Sequence, residues 1–374
     1  MATITTEAAV LHQAGEWWQM TELQLDGPKE HEVLIRFEAA GLCHSDEHIR
    51  ESGGSHIRFP LVGGHEGAGV VEEVGDSVTR VKKGDHAVTS YIPACGRCRY
   101  CSTGHQNLCD AGRYAGTGCM QDETFRFHKN GEDYGGFCAL GTFSHYAVVS
   151  EYSCVRIDDD IPFEVACLVG CGVTTGWCSS VRAAEVQAGD TAVIFGIGGV
   201  GISAVQGARF AGAANVIAID PNPFKLEMAR KLGATFTTTD VEEARERIWE
   251  LTNGQMADEA VITVGVLEPE TTEDAISLVG KAGKVVITSV GRPDVRTLNL
   301  TGSPIVGWHK RIQGALAGGA NPIFEMPNLL GLYRSGHLKI DEIITNRYRL
   351  EDVNQGYRDL LDGKNVRGVI IHNS

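Results

Sequence analysis

Four cysteines, Cys95, Cys98, Cys101 and Cys109, lie in the run PACGRCRYCSTGHQNLCD at C-x2-C-x2-C-x7-C spacing. Four thiolates in one short loop can close a tetrahedral zinc shell with no open position, the signature of a structural site. The same closed shell also suits a zinc-ribbon nucleic-acid module. Cys43 in AGLCHSDEH, His65 in GGHEGAG and Cys171 in VGCGVTTGW form a second set. One imidazole and two thiolates leave a fourth place for water or substrate, which a catalytic zinc requires. Taken singly, each of these also reads as a small core cysteine or a hydrogen-bonded structural histidine.

A third constellation is Gly196, Gly198 and Gly201, a G-x-G-x-x-G turn with Gly199 and Val200 inside it. It follows the buried-strand run TAVIF and opens a helical segment from Val200 to Ala211. Such glycines permit a tight turn and let the backbone approach a pyrophosphate, whose charge the helix amino terminus favours. Asp220 closes the next strand, NVIAID, where its carboxylate can accept hydrogen bonds from an adenosine ribose. An acid there repels a ribose phosphate, so NAD is preferred over NADP, with Lys225 nearby softening the preference.

The elements that must position these groups divide in two. The first 150 or so residues carry β-branched runs (EVLIRF, AGVVEEV, HAVTSYI) between Gly and Asp turns, an irregular β-rich domain. From about Thr191, TAVIF, NVIAID, EAVITV and KVVITSV alternate with helical segments, one of them Pro223 to Leu232, which predicts an α/β doubly wound parallel sheet. Past Gly314 the helical PNLLGLYRSG and the strand VRGVIIH suggest a return to the first domain. A length of 374 residues exceeds what one core usually serves. The net charge of −15 argues against nucleic acid, and with it against the zinc-ribbon reading. No run approaches a membrane span, the amino terminus lacks a signal-peptide pattern, and eleven cysteines in such a chain read as metal ligands or free thiols, so a cytoplasmic protein is expected.

In order along the chain, CHSD, GHEGAG, the four-cysteine loop, GCGVTTG, GIGGVG, ID and KNVRGVI resemble the zinc-containing alcohol dehydrogenases of the medium-chain dehydrogenase family. The resemblance implies a GroES-like catalytic domain at residues 1–172, a Rossmann NAD-binding domain at 173–315 and a return to the catalytic domain at 316–374. It implies two zinc ions per chain and hydride transfer between an alcohol and NAD, with zinc lowering the alcohol's pKa. Catalytic zinc would sit on Cys43, His65 and Cys171, with Asp46 orienting His65 and Glu66 close to the metal. Ser45 and His48 would relay the alcohol proton, Thr175 and Val200 would contact the nicotinamide, and His44 and Arg367 the pyrophosphate.

The long segment CMQDETFRFHKNGEDYGGFCALGTFSHYAVV resembles the dimeric branch, which implies a homodimer, with a tetramer as the alternative. IPACGRCRYCSTGHQNLCD, LVGCGVTTGW, AVQGARFAGAANVIAIDP and NQGYRDLLDGKNVRGVI resemble the actinobacterial enzymes dependent on the nitroso acceptor N,N-dimethyl-4-nitrosoaniline. That branch reoxidises tightly bound NAD in place, which implies a redox partner. FCALGTFSHY over Phe137–Tyr146 departs from the CLLGTFSEY common there, which bears on substrate or acceptor choice. Two alternatives stand beside this reading: a glutathione-dependent formaldehyde dehydrogenase using Arg113 for an anionic group, and a non-catalytic NAD- and zinc-binding protein. Trp177, Trp308 and Phe324 suit a hydrophobic alcohol, or the core.

Overall fold

The computed structural model describes residues 3–372 except 55, 292–295, 297, 299 and 301. The chain forms two compact units, one of residues 1–171, 321–335 and 340–374, the other of 172–320 and 336–339.

The first unit is β-rich. Ile4–Leu11, Gln19–Leu25, Leu61–Val62, Phe127–Lys129 and Glu132–Gly136 close a small barrel. A seven-stranded sheet runs in the order Cys154–Ile157, His86–Thr89, Gly67–Val74, Glu32–Gly41, Arg367–Ile371, Ile344–Tyr348, with Tyr146–Ser150 also paired to Glu32–Gly41. The strand VRGVIIH thus enters the same sheet as EVLIRF, antiparallel to it. Phe37, Leu11, Leu61, Phe143 and Tyr357 are fully buried in the core between these strands. Helix His44–Ser52 follows Glu32–Gly41 directly; Asp46 and Glu47 in its first turn complement the helix dipole, and Gly53 at φ +65° ends it.

The second unit holds six parallel strands in the order Phe236–Thr238, Asn215–Ile219, Thr191–Phe195, Ala257–Ile262, Val279–Ile287, Arg311–Gly314. Thr191–Phe195 is buried throughout, as a central strand covered on both faces must be. Its neighbours on either side come next and third next in the sequence, so the strand order reverses there, and the turn after its carboxyl end lies at the topological switch point. The expected helix is Gly199–Phe210. The second unit extends to Ala320, beyond the expected boundary at 315, and takes up 336–339. The Gln206 side chain holds that short piece, donating to the Lys339 carbonyl at 3.0 Å and accepting from its N–H at 2.8 Å.

At the end of this sheet opposite the glycine turn, Glu259 is 8% exposed and its Oε2 has no hydrogen-bond partner among the described residues. Burial, then the charges of Asp190 and Asp258, push its carboxyl up to about 8, against the pull of Lys284. The folded state therefore binds a proton that the unfolded chain releases near 4.5, and the stability this gives, whole below 4.5, is lost as pH rises through 8. Glu259→Gln removes the charge and keeps the shape. The variant is expected to melt several degrees above the parent at pH 9, at about 2–4 °C per kcal/mol, and at the same temperature near pH 4.5. Thermal scans across pH check this, and a gap that ignores pH would refute it.

Candidate metal centre and cofactor turn

Both cysteine sets come together. The Sγ atoms of Cys95, Cys98, Cys101 and Cys109 lie within 4.8 Å of one another. The loop's own backbone directs N–H groups at sulfur, Cys98 to Cys95, Cys101 to Cys98 and Cys95 to Cys109, each at 3.4 Å. Bond lengths of about 2.3 Å in a tetrahedron put sulfurs about 3.8 Å apart, so this cluster fits a closed zinc shell.

Cys43, His65, Glu66 and Cys171 form the other cluster, with ligand atoms within 4.8 Å and every residue buried. Cys43 is the N-cap of helix His44–Ser52, and one turn on Asp46 places Oδ2 2.9 Å from His65 Nδ1. Asp46 Oδ1 accepts the Gly64 N–H at 2.8 Å. His65 Nε2 has no hydrogen-bond partner among the described residues, and Nδ1 has only its ion-pair contact with Asp46. A buried imidazole nitrogen left bare, on a ring oriented by a carboxylate and beside two thiols, is what a bound zinc satisfies. Glu66 pairs with Arg367, both buried; burial pushes the Glu66 carboxyl up while Arg367 pulls it down.

Ser45 Oγ lies 3.7 Å from Cys43 Sγ. His44 and His48, four residues apart on one helix face, have ring centroids 6.3 Å apart. Sequence reasoning missed two neighbours, Tyr91 and Phe137, which meet the His65 ring edge to face at 5.8 and 5.2 Å. Neither carries a motif, and only tertiary packing brings them there.

In the second unit Gly196 takes φ +82°, and a Cβ on Gly201 would stand 1.8 Å from the Gly196 carbonyl oxygen. The helix that follows has no side-chain cap at Gly198, so its first N–H groups are left for an anion. Gly199 and Val200 form its first turn and are partly exposed. The Asp220 carboxylate accepts the Ile197 N–H at 2.6 Å and the Asn222 N–H at 2.8 Å, so it braces the turn, with acceptor capacity left for a ribose. Lys225 is partly buried on helix Pro223–Lys231. Thr175, on helix Gly172–Cys178, has a buried Oγ1 without a hydrogen-bond partner among the described residues.

Trp177 is buried against Phe210, with ring centroids 5.1 Å apart, whereas Trp308 and Phe324 are half exposed. Arg113 is exposed and donates to the hydroxyl of the adjacent Tyr114 at 2.7 Å.

Known proteins agree with this geometry. Residues 29–159 match the alcohol dehydrogenase GroES-like domain, and residues 199–333 match the zinc-binding dehydrogenase family. An NDMA-dependent alcohol dehydrogenase of Amycolatopsis methanolica is 55% identical over 369 residues, 99% of each chain. A putative alcohol dehydrogenase D of Mycobacterium tuberculosis is 53% identical over 98% of this chain and 100% of its own. A crystal structure of an alcohol dehydrogenase zinc-binding domain protein from Burkholderia ambifaria superimposes with a TM-score of 0.92 at 30% identity, covering 100% of both chains. With such identity sustained from end to end, the chain belongs to the zinc-dependent alcohol dehydrogenases of the medium-chain family, oxidoreductases that work with zinc and NAD.

Proposed function

We propose that this alcohol dehydrogenase works at Cys43, His65 and Cys171 and keeps its NAD, which a redox partner reoxidises in place. The observation that supports the site is the buried cluster in which Asp46 braces His65 and leaves Nε2 bare. Zinc held there supplies the Lewis acidity that lowers the pKa of an alcohol hydroxyl. Ser45, beside Cys43, takes the hydroxyl proton, and His48, partly exposed on the same helix, passes it to solvent. Arg367 holds Glu66 by its charge. In the second unit, Gly196, Gly198, Gly199 and Gly201 receive the pyrophosphate of NAD, which supplies the hydride acceptor. Asp220 takes the ribose, Lys225 flanks it, and Thr175 and Val200 hold the nicotinamide. His44 and Arg367 are assigned to the pyrophosphate as well.

Retention of NAD rests on likeness to the NDMA-dependent relative. The glutathione reading has less support, since Arg113 is already turned onto Tyr114. The homodimer reading is supported by the sheet edge: Arg311–Gly314 is the last strand, and Val306, Trp308 and Leu316 near it are exposed. A cytoplasmic setting accords with cysteines used as zinc ligands or left as thiols rather than paired in disulfides, and no helix among the described residues is long and apolar enough to cross a membrane.

Protein purified without added NAD and given an alcohol is expected to form about one equivalent of reduced nicotinamide per chain and stop. Turnover is expected to resume on addition of a nitroso acceptor. Sustained turnover with added NAD alone would overturn retention while leaving the alcohol dehydrogenase site in place.

A further inference from the structure

His65 sits in the segment Gly63–Glu66, and a second piece of chain, Phe137–Phe143, is wrapped against it. Thr142, fully buried, donates its N–H to the Gly64 carbonyl at 3.0 Å and its hydroxyl to the Glu66 carbonyl at 3.3 Å. The Glu66 carbonyl also accepts the Gly41 N–H, and the Phe143 N–H reaches the Gly63 carbonyl at 2.9 Å. Contact is close enough that a Cβ on Gly64, at φ +84°, would stand 2.4 Å from Thr142 Oγ1. From the other side, His372 Nε2 donates to the Thr142 carbonyl at 3.1 Å.

The chain reaches this arrangement through strain. Cys138 and Ala139 take φ of +58° and +55°, two successive side-chain-bearing residues in the left-handed region. Each costs of order 1 kcal/mol or more, and such residues persist where the surroundings enforce them. The turn they make carries the Phe137 ring onto the His65 ring, and three residues later Thr142 holds the backbone on both sides of that histidine.

We propose that Thr142 is a positioning residue for His65: by its N–H and hydroxyl it holds the backbone carbonyls of the residues before and after the ligand, and so governs how tightly the Cys43, His65 and Cys171 centre retains zinc. This rests on the reading of that centre as the catalytic zinc site. Asp46 orients the ring through Nδ1, whereas Thr142 fixes the backbone that carries it, so each controls a different freedom of the same ligand.

The test follows zinc transfer from the zinc-loaded full chain to a chromogenic chelator, for the parent, Thr142→Val and Thr142→Ser. Cys171→Ser identifies the phase belonging to the catalytic centre. Thr142→Val is expected to release that zinc about 10-fold faster, as loss of an outer partner of a ligand does, with the four-cysteine phase unchanged. Thr142→Ser, which keeps the hydroxyl, is expected to restore the parent rate. Should Val not fold, Thr142→Ala serves the same comparison. A lower melting temperature with an unchanged catalytic phase would make Thr142 a packing residue only, and a Ser variant as fast as Val would remove the hydroxyl's role. If the parent releases only one zinc per chain, the reading of the site itself fails.

Discussion

Cys171→Ser is expected to lower kcat/KM on an alcohol by on the order of 10^3 and to take the chain from two zinc ions to one, with little change in melting temperature. Cys171 is buried and clustered with Cys43, His65 and Glu66, and on the proposed reading it is one of three protein ligands at a centre that keeps an open place. Lewis-acid stabilisation at such a site contributes several kcal/mol to the transition state, and each 1.36 kcal/mol is tenfold in rate. Serine matches the shape of cysteine but does not present a thiolate at neutral pH, so the fold survives while the ligand is lost. Zinc content and steady-state kinetics on the same preparation decide the matter. A variant holding two zinc ions with parental activity would remove Cys171 from the centre. A parent holding only one zinc would favour the non-catalytic alternative.

How much of this was readable in the sequence depends on how local each feature is. The four-cysteine shell was legible outright, because all its ligands come from one loop and their spacing is the signal. The glycine turn was legible because strand, turn, helix and acid follow one another without interruption. Cys43, His65 and Cys171 are scattered along the chain and carry no spacing rule, so only their flanks singled them out. Asp46 was within reach, one helical turn from Cys43. The partner of Glu66 was not, since Arg367 comes from a strand 301 residues away. The resemblance pointed to Arg367 as a pyrophosphate ligand; its buried pairing with Glu66 is a second role that only coordinates could add. For the same reason the contacts of Tyr91, Phe137 and Thr142 with the His65 segment were not legible, although Phe137 and Thr142 lie in the FCALGTFSHY run singled out for substrate choice. Tyr91 and Phe137 act through ring edges and Thr142 through hydrogen bonds to distant backbone carbonyls, partners that the sequence does not name. Asp220 was singled out as a candidate ribose acceptor, but its bond to the Ile197 N–H, which stiffens the turn itself, needed coordinates.

The four-cysteine loop is expected to fail in the opposite manner from Cys171. Cys109→Ala should also bring zinc from two to one per chain, yet its main consequence is stability: a melting temperature lower by about 10 °C, and first proteolytic cuts within 95–109. The reason lies in what else holds the loop. Its only regular elements are Arg99–Ser102, four residues long, and a single 3-10 turn at Gln106–Leu108, far below the length at which a helix stands alone. Gly96, Arg97, Arg99, Tyr100 and Ser102 through His105 are exposed, so apolar burial contributes little. Beyond short-range hydrogen bonds such as Gln106 to the Cys101 carbonyl, what remains is the metal and the N–H groups pointed at sulfur, and structural zinc binding in small peptides is itself worth about 10–16 kcal/mol of folding free energy. Removing one thiolate forfeits part of that, and several kcal/mol at about 2–4 °C each gives the expected drop. Limited proteolysis, melting curves and zinc analysis test it together. Because the substitution leaves Cys43, His65 and Cys171 untouched, the fraction that stays folded should keep its activity, whereas Cys171→Ser stays folded and loses it. If instead both variants lose activity and stability in equal measure, the division of labour between a closed structural zinc and an open catalytic one is wrong.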